Sequence, residues 1–206
     1  MIRRKFIILL GGAGLLISQV MFGNVGAARS DSVVDRLSLP DLIAFNGESY
    51  LLSWSSHPTP FYYKQEYLPR GQASDHFQQM VLIEATARGI DVNGAVTAQV
   101  NMLNKRKLTD PTVNFTVVKN PKNGEVILDF NLSAQGPKGE DLVEWNAYRY
   151  ATLRGKGGES GVLLFGLSRR AYGDDAANFL RRLKSVRPVE INTLANYTLP
   201  IVRLTN

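Results

Sequence analysis

The residues best suited to metal binding are the two histidines, His57 and His76, with the carboxylates Glu66 and Asp75 nearby in sequence. Imidazole and carboxylate groups are common zinc ligands, and spacings such as HxH, HxxxH or HExxH bring two of them to one site. The chain contains none of these spacings, and the two histidines fall in different predicted elements. We therefore predict no metal site.

Motifs for nucleophilic or phosphate chemistry are incomplete. The stretch GESGV at residues 158–162 has a valine where a nucleophile elbow requires a second glycine. The glycine-rich loop at residues 155–158 lacks the GxxxxGK[ST] order and joins two predicted strands, so no helix directs its amides at a phosphate. Cysteine is absent, which excludes thiol catalysis. The sequence predicts no catalytic residue, no cofactor-binding residue and no cofactor.

Arg149 is the first of two cationic features that stand out. It shares a predicted strand face with Val143, Trp145 and Ala147, so its charge must be paired or lie at the rim of the core. We expect a structural ion pair there, with a ligand site as the alternative.

The second feature is a concentration of basic residues in the carboxyl-terminal half. Its members are Arg154, Lys156, Arg169, Arg170, Arg181, Arg182, Lys184 and Arg187. A solvated face explains such a run, and an acidic partner or an anionic membrane surface is the alternative. Exposed parts of Tyr62, Tyr63, Tyr148 and Tyr150 would add apolar contacts. The predicted partner-binding residues are Arg149, Arg169, Arg170, Arg181, Arg182, Lys184, Tyr148 and Tyr150.

Four consecutive strands between residues 113 and 170 position most of these side chains. Residues 113–117 and 126–132 alternate apolar and polar side chains, and the Asn123-Gly124 pair between them is typical of a tight hairpin. Residues 142–153 form a long strand rich in aromatic side chains. The continuous apolar run at residues 162–167 predicts a strand that is covered on both sides.

Two more strands and about three helices complete the predicted domain. The strands are residues 50–54 and 61–68, with a loop at residues 55–60. One helix begins at Ser74 or Asp75, although residues 81–83 could equally begin a strand. A second helix follows Asp91, and a third begins at residues 173–174 and ends at Pro188. The predicted fold is α+β, a mainly antiparallel sheet of two amino-terminal strands plus a four-strand meander, packed with about three helices.

The amino terminus has the pattern of an export signal. Arg3, Arg4 and Lys5 precede an apolar run at residues 6–20, and Val25-Gly26-Ala27 matches a small-residue cleavage site. An uncleaved anchor is the alternative, but the apolar run is shorter than the roughly 20 residues of a membrane span. We predict a signal peptide at residues 1–27, a linker at 28–40 and one domain at 41–206. The predicted location is periplasmic or secreted, by the secretory or the twin-arginine route.

Charge and cysteine content limit the partners. The net charge is +6, and removal of residues 1–27 takes away three positive and no negative charges, which leaves +3. This mild basicity predicts no nucleic-acid partner, and we expect membrane contact only through the signal segment if it stays uncleaved. Without disulfides, the exported fold must be held by its core.

Several short stretches resemble a known group of proteins. They are YLPRG at residues 67–71, FQQM at 77–80, EWNAYR at 144–149 and the strand at 161–170. They resemble small uncharacterised exported bacterial proteins whose architecture is similar to the PsbP-like and DcrB-like sandwich. The resemblance covers residues 50–190; it implies a fold and a compartment and brings no catalytic residues.

The sequence therefore predicts a non-enzymatic binding or accessory module of the cell envelope that recognises another protein or an envelope component. One alternative is an envelope hydrolase whose site assembles only in three dimensions, which a deep pocket with His57 or His76 beside Glu66 or Asp75 would favour. The other is a small-ligand carrier, which a closed apolar cavity between sheet and helices would favour.

Overall fold

The computed structural model describes residues 33–136 and 138–205, and its main element is an eight-stranded antiparallel sheet. The strands are β1 (Leu42–Phe45), β2 (Glu48–Thr59), β3 (Tyr62–Leu68), β4 (Gln79–Ala87), β5 (Asn114–Lys119), β6 (Val126–Gln135), β7 (Asp141–Arg154) and β8 (Ser160–Tyr172). The two helices are α1 (Val92–Arg106) and α2 (Asp175–Asn196). The strand order is β1-β2-β3-β4-β8-β7-β6-β5. The predicted signal peptide and the first part of the predicted linker lie outside the described residues.

The predicted antiparallel meander is confirmed, but the predicted count of six strands and about three helices is wrong. The helix expected to begin at Ser74 or Asp75 does not form, and β4 occupies the second half of that segment. This strand pairs with β3 on one side and β8 on the other, and it is buried on both faces. A strand covered on both faces carries a continuous apolar run, so the helical spacing of Phe77, Met80 and Val81 was misleading.

Two other predicted boundaries are also wrong. The expected loop at residues 55–60 belongs mostly to β2, which runs to Thr59 with two register shifts, and β1 adds a short strand before it. Helix α2 continues through Pro188 instead of ending there. Proline removes one helical hydrogen bond, but Pro188 is exposed, so water can hydrate the carbonyl group that loses its partner.

The sheet is covered by one helix on each face. Helix α1 lies over β6, β7 and β8 and packs its buried Val92, Val96 and Leu103 against one cluster of core residues. Helix α2 lies on the opposite face, over β7 and β8, and packs Leu183 and Leu194 against the other cluster. Successive residues of a strand point to opposite faces, so each central strand contributes to both cores.

The start of α1 is as the sequence predicts. The Asp91 carboxylate accepts a hydrogen bond from the Gly94 amide at 2.7 Å, which satisfies one of the free amides of the first turn. Lys105 and Arg106 lie in the last turn, where cations interact favourably with the carbonyl end of the helix.

The carboxyl-terminal tail, residues 198–205, folds back onto the body. The Arg203 amide donates to the Leu37 carbonyl at 2.9 Å, and the Lys156 amide donates to the Val202 carbonyl at 3.0 Å. Leu37 and Leu39, which the sequence placed in the linker, are buried in the α2-side core. Within the described ranges, neither helix has the length and hydrophobicity to cross a membrane.

Candidate functional site

Arg149 holds the carboxyl-terminal end of α2 against the sheet. Its side chain is buried on the α2 face of β7, and Nη2 pairs with Glu125 Oε2 at 2.7 Å. Nη1 donates to the carbonyl groups of Leu194 at 2.8 Å and Tyr197 at 2.7 Å. The guanidinium group therefore neutralises a carboxylate, binds the Tyr197 carbonyl group and adds a second donor to the Leu194 carbonyl group, which also accepts from the Tyr197 amide at 3.3 Å. Arg149 has a structural role in this geometry.

Arg169 and Arg170 are neighbours in β8 and point to opposite faces of the sheet. Arg169 lies under α2 and binds Glu190 with two hydrogen bonds, of 2.5 and 3.1 Å. Arg170 lies on the α1 face, pairs with Glu144, and stacks 3.9 Å from the ring centre of Phe77. Burial disfavours both charges, but the paired carboxylates hold the pKa of each arginine above its usual value. Both guanidinium groups are thus engaged inside the fold.

Tyr148 and Tyr150 are buried in the α1-side core and are not part of a surface. The Tyr148 hydroxyl donates to Asn146 Oδ1 at 3.3 Å, and burial raises the pKa of both tyrosines. Tyr63 is also buried, and its ring stacks on His57. Tyrosines in this position stabilise the core and contribute little contact area to a partner.

Three of the predicted cations lie exposed on α2, where Arg181 donates a hydrogen bond to Asn178 Oδ1. Arg181, Arg182 and Lys184 are exposed, and none of them forms an ion pair among the described residues. Exposed aliphatic side chains lie on the same helix, namely Leu180, Val186 and Val189, which is 59% exposed. At about 100° per residue, Arg182 and Lys184 lie on opposite flanks of the helix, so these six residues spread over its exposed sides; we call this surface the α2 outer face. The acids of α2, Asp175 and Glu190, lie in the first turn and beneath the helix, so they do not neutralise it.

The remaining predicted cations lie apart from this face. Arg187 points inward, where Nε pairs with the buried Asp129 at 2.6 Å and Nη2 donates to Thr116 Oγ1 at 3.0 Å. Arg154 and Lys156 are exposed at the end of β7 and in the following loop. The structure therefore divides the predicted partner-binding set into two parts: the buried Arg149, Tyr148 and Tyr150 with the half-buried, ion-paired Arg169 and Arg170, and the three exposed cations of α2.

Sequence reasoning missed a buried charged cluster between β3 and β4 on the α1 face. Lys64 lies directly opposite Glu84 in the ladder, and its Nζ is 2.7 Å from Glu66 Oε1. Burial raises the pKa of Glu84 to about 7, although Lys64 acts in the opposite direction. The Tyr62 hydroxyl lies beside Glu84 without reaching hydrogen-bond geometry, and burial and Glu84 together raise the pKa of Tyr62.

This cluster is a packed ion-pair network. The Lys64 ammonium group lies 5.8 Å from the ring centre of Trp54, and only 4% of its side chain is exposed. Lys64, Glu66 and Glu84 are all buried, so the cluster offers no opening through which a substrate could reach the acids. In a strand, the i, i+2 spacing of Lys64 and Glu66 predicts that both side chains lie on the same face. That Glu84 belongs to the same cluster can be predicted only if β4 is recognised as a strand that pairs with β3.

The histidines do not form the site that a hydrolase would need. His57 stacks on Tyr63 on the α2 side of the sheet, whereas Glu66 points to the α1 side. His76 is exposed and stacks on Tyr172 at 4.1 Å. Among residues 33–136 and 138–205, no group of three or more metal-binding side chains is close enough to hold an ion.

Two of the surface depressions among the described residues lie beside α2, and both are open to solvent. One lies between the end of β6, the start of β7 and the start of α2, and the other lies at the end of α2. Neither contains a histidine or a residue of the Lys64 cluster. These depressions lack the enclosure that small-molecule sites usually have.

Comparison with known proteins identifies a family without assigning an activity. A protein-family model matches residues 37–199, from the buried Leu37 to just beyond α2, which is more than half of the chain. No curated protein and no solved structure matches the chain. The resemblance to the PsbP-like and DcrB-like sandwich is not confirmed by these comparisons.

Proposed function

We propose that this chain, which belongs to the uncharacterised family whose model spans residues 37–199, is a non-enzymatic binding module of the bacterial cell envelope. Its recognition surface in this proposal is the α2 outer face, and its partner is a protein or another envelope component with an acidic surface. The PsbP-like or DcrB-like relationship is part of the same proposal, and the antiparallel sheet with a helix on each face supports it.

One contrast carries this proposal. Arg149, Arg169 and Arg170 all bind carboxylates inside the fold, whereas Arg181, Arg182 and Lys184 have no carboxylate partner among the described residues. Long cationic side chains beside exposed aliphatic ones can bind an acidic surface through charge attraction and apolar burial together. The α2 outer face therefore offers the chemistry of a partner surface that the internal arginines lack.

Shape supports the same conclusion. Helix α2 has 22 residues, of which only Leu183, Glu190 and Leu194 are buried, so most of its surface is available for contact. The two depressions beside it are open to solvent, and the charged side chains of the Lys64 cluster are buried. A rigid, convex helix on a sheet suits recognition of a macromolecular surface better than enclosure of a small molecule.

Export is also a proposal, and it is supported by the sequence alone. The basic start, the apolar run and the small-residue cleavage pattern at residues 1–27 have the order of a signal peptide. Cell fractionation followed by mass spectrometry of the amino terminus tests it. We expect a periplasmic or secreted chain that starts after Ala27. A cytoplasmic chain that retains residues 1–27 would contradict export and leave the surface proposal to its own test.

The binding proposal is tested by reversing charge on α2. The variant combines Arg181→Glu, Arg182→Glu and Lys184→Glu. The control combines Arg70→Glu, Lys107→Glu and Lys122→Glu, which change the net charge equally at exposed positions outside α2. Immobilised wild type and both variants are exposed to envelope extract at low salt. We expect the α2 variant to lose the captured component at least tenfold and the control to keep it. If both variants lost the captured component equally, the loss would be explained by the change in net charge alone, and the proposal would be overturned.

A further inference from the structure

Strand β5 forms an open edge of the sheet. It pairs with β6 over all six of its residues without a register shift, and its other side faces no strand. Natural edge strands are usually protected by acids or lysines along their length, by proline, by a bulge or by shortness. Strand β5 has the sequence NFTVVK, whose only charge is the terminal Lys119. The opposite edge strand, β1, has only four residues.

The free backbone groups of β5 can be assigned from the hairpin beside it. The Asn120 amide donates to the Glu125 carbonyl at 2.8 Å, so the backbone of Asn120 faces β6. Hydrogen-bonding direction alternates along an antiparallel strand. The amide and carbonyl groups of Phe115, Val117 and Lys119 therefore point away from the sheet. In the described part of the chain, no other segment donates backbone hydrogen bonds to this edge.

From this geometry we propose that β5 pairs with β5 of a second copy of this chain and joins the two sheets into one. A two-fold axis at Val117 places Val117 opposite itself and Phe115 opposite Lys119 of the other copy. All the outward amide and carbonyl groups of both strands are then paired, because the three free positions match each other in this register.

Side chains also fit this register. The two Val117 side chains, each 37% exposed in one chain, meet on the α1 face. Each Lys119 lies against a Phe115 ring, so the two lysines are never opposite each other. Thr116 and Val118 face each other on the α2 side, and Val118 is 50% exposed before pairing. Pairing at the edge therefore covers two exposed valines and creates no like-charge contact.

The dimer goes beyond the proposed binding function and is independent of it. A two-fold axis perpendicular to the sheet keeps both α2 helices on the same side. Two copies of the α2 outer face would then point in one direction, so a repetitive acidic partner could bind both at once.

Cysteine crosslinking tests the register directly, because the chain has no cysteine of its own. In the proposed register, Val117→Cys would lie about 5.5 Å from its own copy between Cα atoms, within the range of a disulfide. Asn114→Cys is the matched control, since each Asn114 would lie many residues along the strand from the other. Both sites are exposed on β5. We expect mild oxidation to convert most Val117→Cys protein, and at least tenfold less Asn114→Cys protein, to covalent dimer.

Light scattering tests the edge without a covalent bond. We expect wild type to have twice the monomer mass at high concentration, and Val117→Lys, which puts two ammonium groups face to face, to be monomeric with an unchanged circular dichroism spectrum. Val117→Thr, which keeps the branched shape, should remain dimeric. A wild-type monomer at every concentration, equal crosslinking at both cysteine sites, or a Val117→Lys dimer would each overturn the proposal.

Discussion

Glu84 on β4 lies directly opposite Lys64 on β3, on the sheet face that α1 covers. The same ammonium group contacts Glu66 at 2.7 Å, so one cation faces two buried carboxyl groups. Burial disfavours the charged form of Glu84 and the nearby Glu66 adds to this effect, so Glu84 binds a proton more readily even though Lys64 acts in the opposite direction. Its pKa of about 7 makes the cluster a source of pH-dependent stability.

Glu84→Gln is expected to remove that pH dependence. The pKa of Glu84 is 4.5 in its ordinary state and about 7 in the folded protein, so the folded state binds the proton more tightly. The free energy of unfolding therefore falls as pH rises from about 5 to 8, by about 3 kcal/mol if Glu84 acts alone. Urea unfolding at several pH values measures this loss in the wild type. In the Glu84→Gln protein the loss should be smaller by most of that amount.

The exposed Glu48→Gln variant is the control for this measurement, and it should keep the wild-type dependence. Asp110 does not interfere, because hydrogen bonds from Ser133 and Arg106 outweigh burial and lower its pKa. Its contribution to stability is lost only in more acidic solution, below the range used. A Glu84→Gln protein with the full wild-type dependence would show that the cluster does not control stability.

Arg149→Met is expected to destabilise the fold and to loosen the end of α2. The change leaves the Glu125 carboxylate without its cation, removes the guanidinium donor of the Tyr197 carbonyl group, and leaves the Leu194 carbonyl group only the Tyr197 amide. Removing one partner of a buried pair costs about 3 kcal/mol or more. Chemical unfolding gives this loss, and hydrogen exchange should show faster exchange at residues 190–196. The control Arg182→Met changes an exposed arginine and should stay within about 0.5 kcal/mol of wild type. Equal stability of the two variants would refute the clamp role of Arg149.

Gly161→Ala is expected to disrupt the junction of β8 with β4. Gly161 pairs with Ala87, and an added Cβ would overlap the carbonyl oxygen of Thr86. A backbone atom cannot turn aside as a side chain can, so we expect a loss of about 3 kcal/mol or more. Gly158→Ala, in the loop that precedes β8, is the matched control, because its Cβ meets no atom within 4 Å. Its φ of +84° should cost only about 1 kcal/mol. Thermal unfolding of both variants measures the difference, and similar midpoints would contradict the predicted clash.

Sequence periodicity predicted the parts of the fold where one face of a strand differs from the other. The alternation in β6 and the Asn123-Gly124 turn gave the meander, and Asp91 gave the start of α1. Periodicity left residues 81–83 undecided between helix and strand, since a strand buried on both faces, such as β4, has no alternation to detect. Pro188 was misread because its exposure, which makes a proline tolerable in α2, depends on tertiary packing.

The candidate site was predictable only in part, for a related reason. The sequence showed which residues are basic, and it showed that Arg149 needs a partner on its apolar face. It did not show that Glu190, Glu144 and Asp129 would neutralise other arginines, because these acids come from distant segments. Among the described residues, the exposed cations of α2 are left unpaired once these ion pairs are known. The ion pairs form only in the folded chain, so the sequence could not single these cations out.

The most direct test of the proposed function is the salt dependence of binding between the immobilised wild-type protein and the envelope component that it captures. The bound fraction is measured as ionic strength rises from about 0.05 M to about 0.5 M, over which the reach of charge interactions shrinks severalfold. If Arg181, Arg182 and Lys184 make the contacts, the bound fraction of wild type falls steeply, and the variant with three glutamates at these positions shows little binding at any salt concentration. A bound fraction that does not change with salt, or that is the same for both proteins, would contradict the account.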